Sequence, residues 1–186
     1  MTSLALTRFV LSARDGGLRL ADRPLPPTGG NGHRHLPRLV VHTERRYQSH
    51  LGFGGAFTEA AAVTWQKLSP SRRDEALHDY FNPEDGHGYT LCRVHMNSCD
   101  FALGHYAHAA TPGDLALAHF SIERDRQALL PFIQAALRMA GQPVKLLASP
   151  WSPPPWMKSN GAMNGGGQLR PECRAAWAQC FVRFVQ

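Results

Sequence analysis

The stretch Tyr89–Phe101, Tyr-Thr-Leu-Cys-Arg-Val-His-Met-Asn-Ser-Cys-Asp-Phe, decides how the rest of the chain is read. Its first half is strand-like. Tyr89, Thr90, Leu91, Cys92 and Val94 are aromatic, β-branched or apolar, and Gly86 and Gly88 punctuate the approach to them. Its second half is polar: Arg93, His95, Asn97 and Asp100 fall within eight positions. A buried Asp or Arg is costly unless paired. A strand that delivers both toward one end therefore builds either a structural ion pair or a site, and spacing alone leaves both open.

Upstream, Gly52-Phe53-Gly54-Gly55-Ala56 precedes a helix. It lacks the spacing and the Lys of a phosphate-cradling loop, so nucleotide binding is not expected. The glycines more simply let the backbone pass close to other strands. Thr58 is placed to cap the helix, Glu59 suits its first turn, and it runs to about Leu68. Ser69-Pro70 starts another helix, with Ser as cap and Pro at the first helical position. Asn82–Gly86 ends it as a turn.

Downstream of Asp100 lies a loop with His105-x-x-His108 and Thr111-Pro112-Gly113-Asp114. A metal site needs three or four convergent ligands, so this reads as a substrate-side loop rather than a metal centre. Ser121 caps the next helix. Arg126, Leu129, Leu130, Ile133, Ala136, Leu137 and Ala140 keep helical spacing, and Gly141 and Pro143 stop it. Lys145–Ser149 reads as a short buried strand. From Pro171 a last helix puts Ala176, Trp177, Cys180, Phe181, Phe184 and Val185 on one face. This β-α-β-α-β-α order, with crossovers long enough for helices, argues for an α/β fold with parallel strands.

The first 36 residues carry no recognisable motif. Residues 8–21 read as a hairpin around Asp15-Gly16-Gly17, residues 22–37 as a Pro-, Gly- and His-rich linker, and Leu39-Val40-Val41 as a short strand. His33-x-His35 could touch a metal but has no further ligands nearby. The domain reading is thus 1–48 for hairpin, strand and linker, and 49–186 for the α/β part.

The chain has 186 residues, 43% of them hydrophobic, enough for one packed domain and hardly two. Net charge is +6. Its basic residues are scattered, with no stripe and no aromatic interleaving, so a solvated basic surface fits better than a nucleic-acid interface. Cys92, Cys99, Cys173 and Cys180 form no Cys-x-x-Cys pair and read as buried free thiols, not a secreted disulfide framework. Arg8, Arg14 and Asp15 break the N-terminal apolar patch too early for a signal peptide. No run is long and apolar enough for a membrane span. The expectation is a cytoplasmic chain.

Arg93-Val94-His95-Met96-Asn97-Ser98-Cys99-Asp100-Phe101 resembles the second barrel strand and following loop of glucosylceramidases, the glucocerebrosidase-like enzymes of glycoside hydrolase family 30. Gly52–Ala62 is similar to that family's first strand and turn, Phe120–Asp125 to a helix start, and Leu146–Lys158 to the third strand and its loop. Asn160-Gly161 and Asn164-Gly165-Gly166 continue the last block. The four blocks keep the family's order and cover Leu39 to Gln186.

The resemblance implies a (β/α)8 TIM barrel, here incomplete, with about the first three βα units preceded by a short β segment. It implies a retaining hydrolase of a β-glucoside or glycosphingolipid such as glucosylceramide, with no cofactor and no metal. Retention takes two carboxyl groups about 5–5.5 Å apart. In the family these are a Glu in an Asn-Glu-Pro motif after the fourth strand and a Glu after the seventh. No Asn-Glu-Pro occurs here, and neither Glu59 nor Asp100 matches a catalytic position. The pair is expected beyond Gln186, and the chain by itself is expected to be inactive.

What remains is the sugar-holding half. By resemblance, Asp100 accepts hydrogen bonds from glucose hydroxyls, Trp151 contacts the same sugar, Arg93 sits beside the nucleophile, and Phe101 and Trp156 line the aglycone side. The last two read equally well as core aromatics. The competing reading of the whole is a non-catalytic, vestigial or carbohydrate-binding fragment. Three barrel strands leave open edges through which the chain can associate.

Overall fold

The computed structural model describes residues 8–25, 37 and 41–186. The chain divides into two units, Met1–Gln48 and Ser49–Gln186. The reading of His33-x-His35, and all of Leu39–Val41 but its last residue, lie outside the described residues.

In the first unit β1 (Phe9–Ala13) and β2 (Leu18–Arg23) form an antiparallel hairpin, with Phe9 opposite Arg23 and Ala13 opposite Leu18. Gly17 closes its turn at φ 64°, where a side chain would be strained. The Arg8 guanidinium donates to the Asp22 carboxylate at 2.7 and 3.0 Å.

The second unit runs β3 (Ala56–Phe57), α1 (Glu59–Gln66), α2 (Pro70–Phe81), β4 (Leu91–Met96), α3 (Glu123–Gln127), α4 (Leu129–Ala140), β5 (Lys145–Pro150) and α5 (Arg174–Val185). All three strands are parallel, in the order β3-β4-β5. Ala56 pairs with Arg93, and β5 pairs with β4 from Leu91↔Lys145 to Met96↔Pro150.

Gly54 makes the β3 side possible. A Cβ there would stand 1.7 Å from the Leu91 carbonyl oxygen. On either side of it, the Phe53 carbonyl accepts from the Thr90 and Leu91 N–H groups at 3.0 and 3.1 Å, and Arg93 N donates to the Gly55 carbonyl at 3.0 Å.

Helices α1, α2 and α4 cover the sheet through Phe57, Ala62, Leu77, Phe81, Cys92, Val94, Leu129, Ile133 and Ala136. Phe57 stacks on Phe81 at 5.7 Å and meets Phe132 edge-on at 5.4 Å. Each fully buried large side chain of this kind contributes about 1.5–3 kcal/mol. A second cluster, with Met96, Leu117, Met157, Cys173, Ala176 and Cys180, packs α5 and the segment before it. Burial pushes the Cys180 thiol up to about 11. Thr58 Oγ1 caps α1 by accepting from Ala61 N at 3.2 Å, and Gly141 ends α4 in the left-handed region at φ 58°.

Several expectations need correction. Ser69 precedes α2 but makes no capping bond. The helix expected after Ser121 is two: α3 and α4 break at Ala128. Pro131 explains this, since its ring has no N–H for the Gln127 carbonyl and would clash with it. That carbonyl accepts instead from Gln66 Nε2 at 2.9 Å. Ser121 Oγ takes the Glu123 N–H at 3.1 Å, one position ahead of the cap residue Ile122. Strand β5 is not buried: Leu146 is 42% and Leu147 61% exposed. Among the described residues it pairs only with β4 and forms the sheet's edge. Val185, placed on the apolar face of α5, is also exposed. No helix among the described residues is long and apolar enough to cross a membrane.

Candidate functional site

The polar groups gather where β4 and β5 end side by side. Asn97, the first residue past β4, is buried and sits at φ 62°. Its Nδ2 donates to the Ser152 carbonyl at 2.9 Å, just past β5. Its Oδ1 accepts from His108 N at 2.9 Å, and its own N–H donates to His108 Nδ1 at 3.3 Å.

These bonds fix two histidine tautomers. His108 Nδ1 must accept, so Nε2 carries the proton and donates to Asp125 Oδ2 at 2.8 Å. Asp125 Oδ1 takes the Tyr106 hydroxyl at 2.9 Å. Burial and the Asp125 carboxylate push the Tyr106 phenol well above its ordinary range. His95 Nδ1 lies 2.7 Å from the Asn97 carbonyl, which can only accept. The His95 proton is therefore on Nδ1, and Nε2 accepts the Glu59 N–H at 3.2 Å.

Glu59 locks the loop after β4 from the other side. Its carboxylate accepts from Arg124 at 2.7 and 3.2 Å and from Leu103 N at 2.7 Å. Burial alone would push this carboxyl up. Arg124 and the Leu103 N–H together outweigh it, so Glu59 titrates below the ordinary glutamate range. Ala60 N also donates to the Phe101 carbonyl at 3.0 Å.

This frame holds a cavity of about 390 Å³, within the size range of small-ligand sites, whose walls include Ser98, Asp100, His105, Trp151, Met163 and Asn164. The Arg93 guanidinium lies 4.1 Å from the centre of the Trp151 ring. One indole face is thus covered by a cation, while Trp151 remains 41% exposed. The third wall comes from a loop after β5. Lys158 pairs with Leu169, and Lys158 Nζ donates to the Met163 carbonyl at 3.2 Å. Asn160 Nδ2 donates to the Asn164 and Gly166 carbonyls at 2.9 and 3.2 Å. Ser98 Oγ reaches Met163 Sδ at 3.8 Å.

Of the residues singled out in the sequence, the structure brings Arg93, Asp100 and Trp151 together. Phe101 and Trp156 stand apart from that cavity. Phe101 is 62% exposed and faces an apolar groove beside α1 and α2. Trp156 packs against the second core cluster, and its indole N–H is spent on the Ala109 carbonyl at 2.8 Å. The sequence reading missed Asn97, His108 with Asp125, and Glu59 with Arg124 as the frame. The only available signal was a set of ionisable residues flanking apolar positions.

The cavity wall presents groups that can bind hydroxyls. A carboxylate accepts hydroxyl hydrogen bonds, an indole offers an apolar face and an N–H, and a loop amide and an imidazole offer further polar contacts. No group of three His, Cys, Asp or Glu side chains that could hold a metal ion occurs among the described residues.

The glycosyl hydrolase family 30 TIM-barrel domain matches residues 50–186. The lysosomal acid glucosylceramidase of Mus musculus is 40% identical over 152 residues, which cover 79% of this chain and 29% of that protein. An endo-1,6-beta-D-glucanase of Neurospora crassa is 29% identical over 185 residues, covering 94% of this chain and 38% of that protein. Among solved structures, SrfJ from Salmonella typhimurium superposes with a TM-score of 0.70 at 45% identity, over 74% of this chain and 30% of that one. An endo-beta1,6-glucanase superposes with a TM-score of 0.68 at 26% identity, over 78% of this chain and 33% of that one. The chain spans 29% to 38% of the length of these relatives.

Proposed function

Because the chain belongs to glycosyl hydrolase family 30, we propose that residues 49–186 are the first three βα units of its barrel and hold the sugar of a β-glucoside during retaining hydrolysis. The observation that carries this reading is that Asp100 and Trp151 wall one cavity at the C-terminal ends of adjacent parallel strands. Barrels of this type place their active sites at that end.

Asp100 accepts hydrogen bonds from ring hydroxyls, and a charged acceptor makes them stronger than a neutral one. Trp151 contacts the sugar through its uncovered face or its N–H. Arg93, stacked on Trp151, presents a fixed positive charge at the strand ends, where it favours an ionised carboxylate nucleophile. Phe101, which stands outside this cavity on an apolar groove, meets only an aglycone that extends beyond the sugar. The acid/base and the nucleophile are two Glu carboxyl groups from later strands. They perform a double displacement through a glycosyl-enzyme intermediate, with water as the final acceptor and no cofactor.

Glucosylceramide is the favoured substrate, from the identity to the mouse enzyme. A β-1,6-linked glucan is the second reading, favoured by the match to the fungal endoglucanase across nearly the whole chain. The test is to express the complete reading frame that contains these residues and assay both substrates, following the anomer released by NMR. Release of β-glucose first is the expected result. A folded product with both Glu groups in place but no turnover of any β-glucoside would sink the proposal.

A further inference from the structure

We infer that Asn97 is the positioning residue of the sugar site, the side chain that sets Trp151 against Asp100. The inference rests on the sugar-site reading above and adds to it the group that joins the site's two segments. The β4–β5 pairing ends at Met96↔Pro150. Past that point the backbone offers one long contact, Trp151 N to the Met96 carbonyl at 3.5 Å. The short link is the Asn97 amide, whose Nδ2 donates to the Ser152 carbonyl at 2.9 Å, one residue beyond Trp151.

The other end of the same amide holds the root of the loop that carries Asp100. Oδ1 accepts from His108 N at 2.9 Å, and together with the Ser98 N–H on the Tyr106 carbonyl at 3.0 Å this closes residues 98–107 into a loop standing on Asn97. The donor end thus holds the indole's segment and the acceptor end holds the carboxylate's loop. The amide cannot be turned over, because a carbonyl faces its nitrogen and an N–H faces its oxygen. Asn97 is 1% exposed, so water does not compete for these bonds. Its φ of 62° lies in the left-handed region, which Asn tolerates better than most residues. This conformation turns the chain from strand to loop at the point where the two segments are joined.

A carboxylate at this position keeps the acceptor and loses the donor, and it sets a buried charge against the Ser152 carbonyl. Its protonated form regains a donor in the same place. Glycine keeps the backbone conformation and loses both bonds.

The experiment uses the complete reading frame that contains these residues, with ¹⁵N-labelled tryptophan, the Trp151 indole signal being assigned through Trp151→Phe. Asn97→Gly, Asn97→Asp and Leu77→Ala are compared. Leu77→Ala truncates the helix-packed core, away from the cavity, and controls for lost stability. Asn97→Gly should move the Trp151 signal and weaken binding of methyl β-D-glucopyranoside by about tenfold, while Leu77→Ala at matched stability does neither. In Asn97→Asp the signal should return toward the wild-type position as the pH is lowered and the buried carboxyl takes up its proton.

A Trp151 signal unmoved in Asn97→Gly, or moved equally in Leu77→Ala, overturns the inference. If Asn97→Gly does not fold, the pH-dependent return in Asn97→Asp decides, and its absence overturns the inference. A wild-type chain that ignores the glucoside while Trp151 still moves in the Asn97 variants removes the sugar-site reading alone.

Discussion

Arg93 and Trp151 form a stack in which the guanidinium carbon lies 4.1 Å from the indole centre. The contact joins two strands. Arg93 pairs with Leu147 within the sheet, and its side chain reaches the residue just past the end of β5. A planar guanidinium can lie flat on a ring, whereas an ammonium is a strongly hydrated point charge.

Arg93→Lys should therefore not preserve function although it preserves charge. A cation–π contact is worth about 0.5–2 kcal/mol depending on desolvation, so kcat/KM of the complete enzyme should fall roughly two- to thirtyfold. Near-full activity in the lysine variant would reject the stacked role and leave a plain charge role.

Asp100→Ala tests the hydroxyl-binding carboxylate. Removing a charged hydrogen-bond partner costs about 1.5–3 kcal/mol, so kcat/KM on a β-glucoside should drop roughly ten- to a hundredfold with the circular dichroism spectrum unchanged. An unchanged kcat/KM would remove Asp100 from the site.

Glu59 makes stability depend on pH in a stated direction. Its carboxyl titrates below the ordinary value of 4.5 in the folded chain. A folded pKa below the unfolded one stabilises the fold above the unfolded pKa, and this is lost as pH falls through the folded pKa. The Tm gap between wild type and Glu59→Gln should be widest near neutral pH and should narrow as the pH falls below the ordinary glutamate value. A gap that stays constant down to acid pH would mean the Arg124 pair contributes nothing through ionisation.

Gly54→Ala should be far more damaging than Gly104→Ala. At Gly54 the added methyl meets the Leu91 carbonyl oxygen at 1.7 Å, while at Gly104 nothing lies within 4 Å. Backbone overlap cannot be relieved by a rotamer change, so the β3–β4 pairing must give, at a cost of about 1–3 kcal/mol or more. Thermal melts of the two variants side by side make the comparison. Equal melting temperatures would contradict the close approach of β3 to β4.

The 186-residue chain, made by itself, should not hydrolyse β-glucosides and should associate. It contains no Asn-Glu-Pro, and binding groups alone cannot carry out a double displacement. The edge strand β5 exposes Leu146 and Leu147 along with backbone groups that have no sheet partner among the described residues. Leu147→Lys should lower the mass measured by light scattering. A monodisperse, cooperatively melting wild-type monomer with turnover above background would refute both halves.

Much of this was legible in the sequence for a physical reason. Strand β4, the Thr58 cap and the Gly141 stop are local signals, readable from neighbours a few residues apart. The break at Ala128 was also local, since Pro131 lies four residues past Gln127, but the helical spacing around it masked the signal. The frame of the site was not local. Glu59 meets Arg124 across 65 positions, and His108 meets Asp125 across 17. In sequence, Arg124 and Asp125 look like ordinary solvated helix charges, and His108 looks like half of a loose His pair. Trp156 read two ways in sequence, as an aglycone-side residue or a core aromatic. It lies within a matched block, and in the structure its N–H is committed to the Ala109 carbonyl and it packs against the second core cluster.

The loop that walls the cavity sets its own chemical lifetime. It holds two Asn-Gly bonds, at Asn160-Gly161 and Asn164-Gly165. Such bonds lose ammonia spontaneously when the glycine nitrogen attacks the asparagine side-chain carbonyl, and hydrolysis of the cyclic imide leaves aspartate or isoaspartate. Asn160 is held out of that reaction. Its Nδ2 is bound to two carbonyls, its Oδ1 accepts from Ala162 N at 3.3 Å, and Gly161 N donates to the Lys158 carbonyl at 3.1 Å. The exposed Asn164 side chain has no such restraint among the described residues. Of these two bonds, Asn164-Gly165 is therefore the one that ages first, and its product is a second carboxylate on the cavity wall that Asp100 shares.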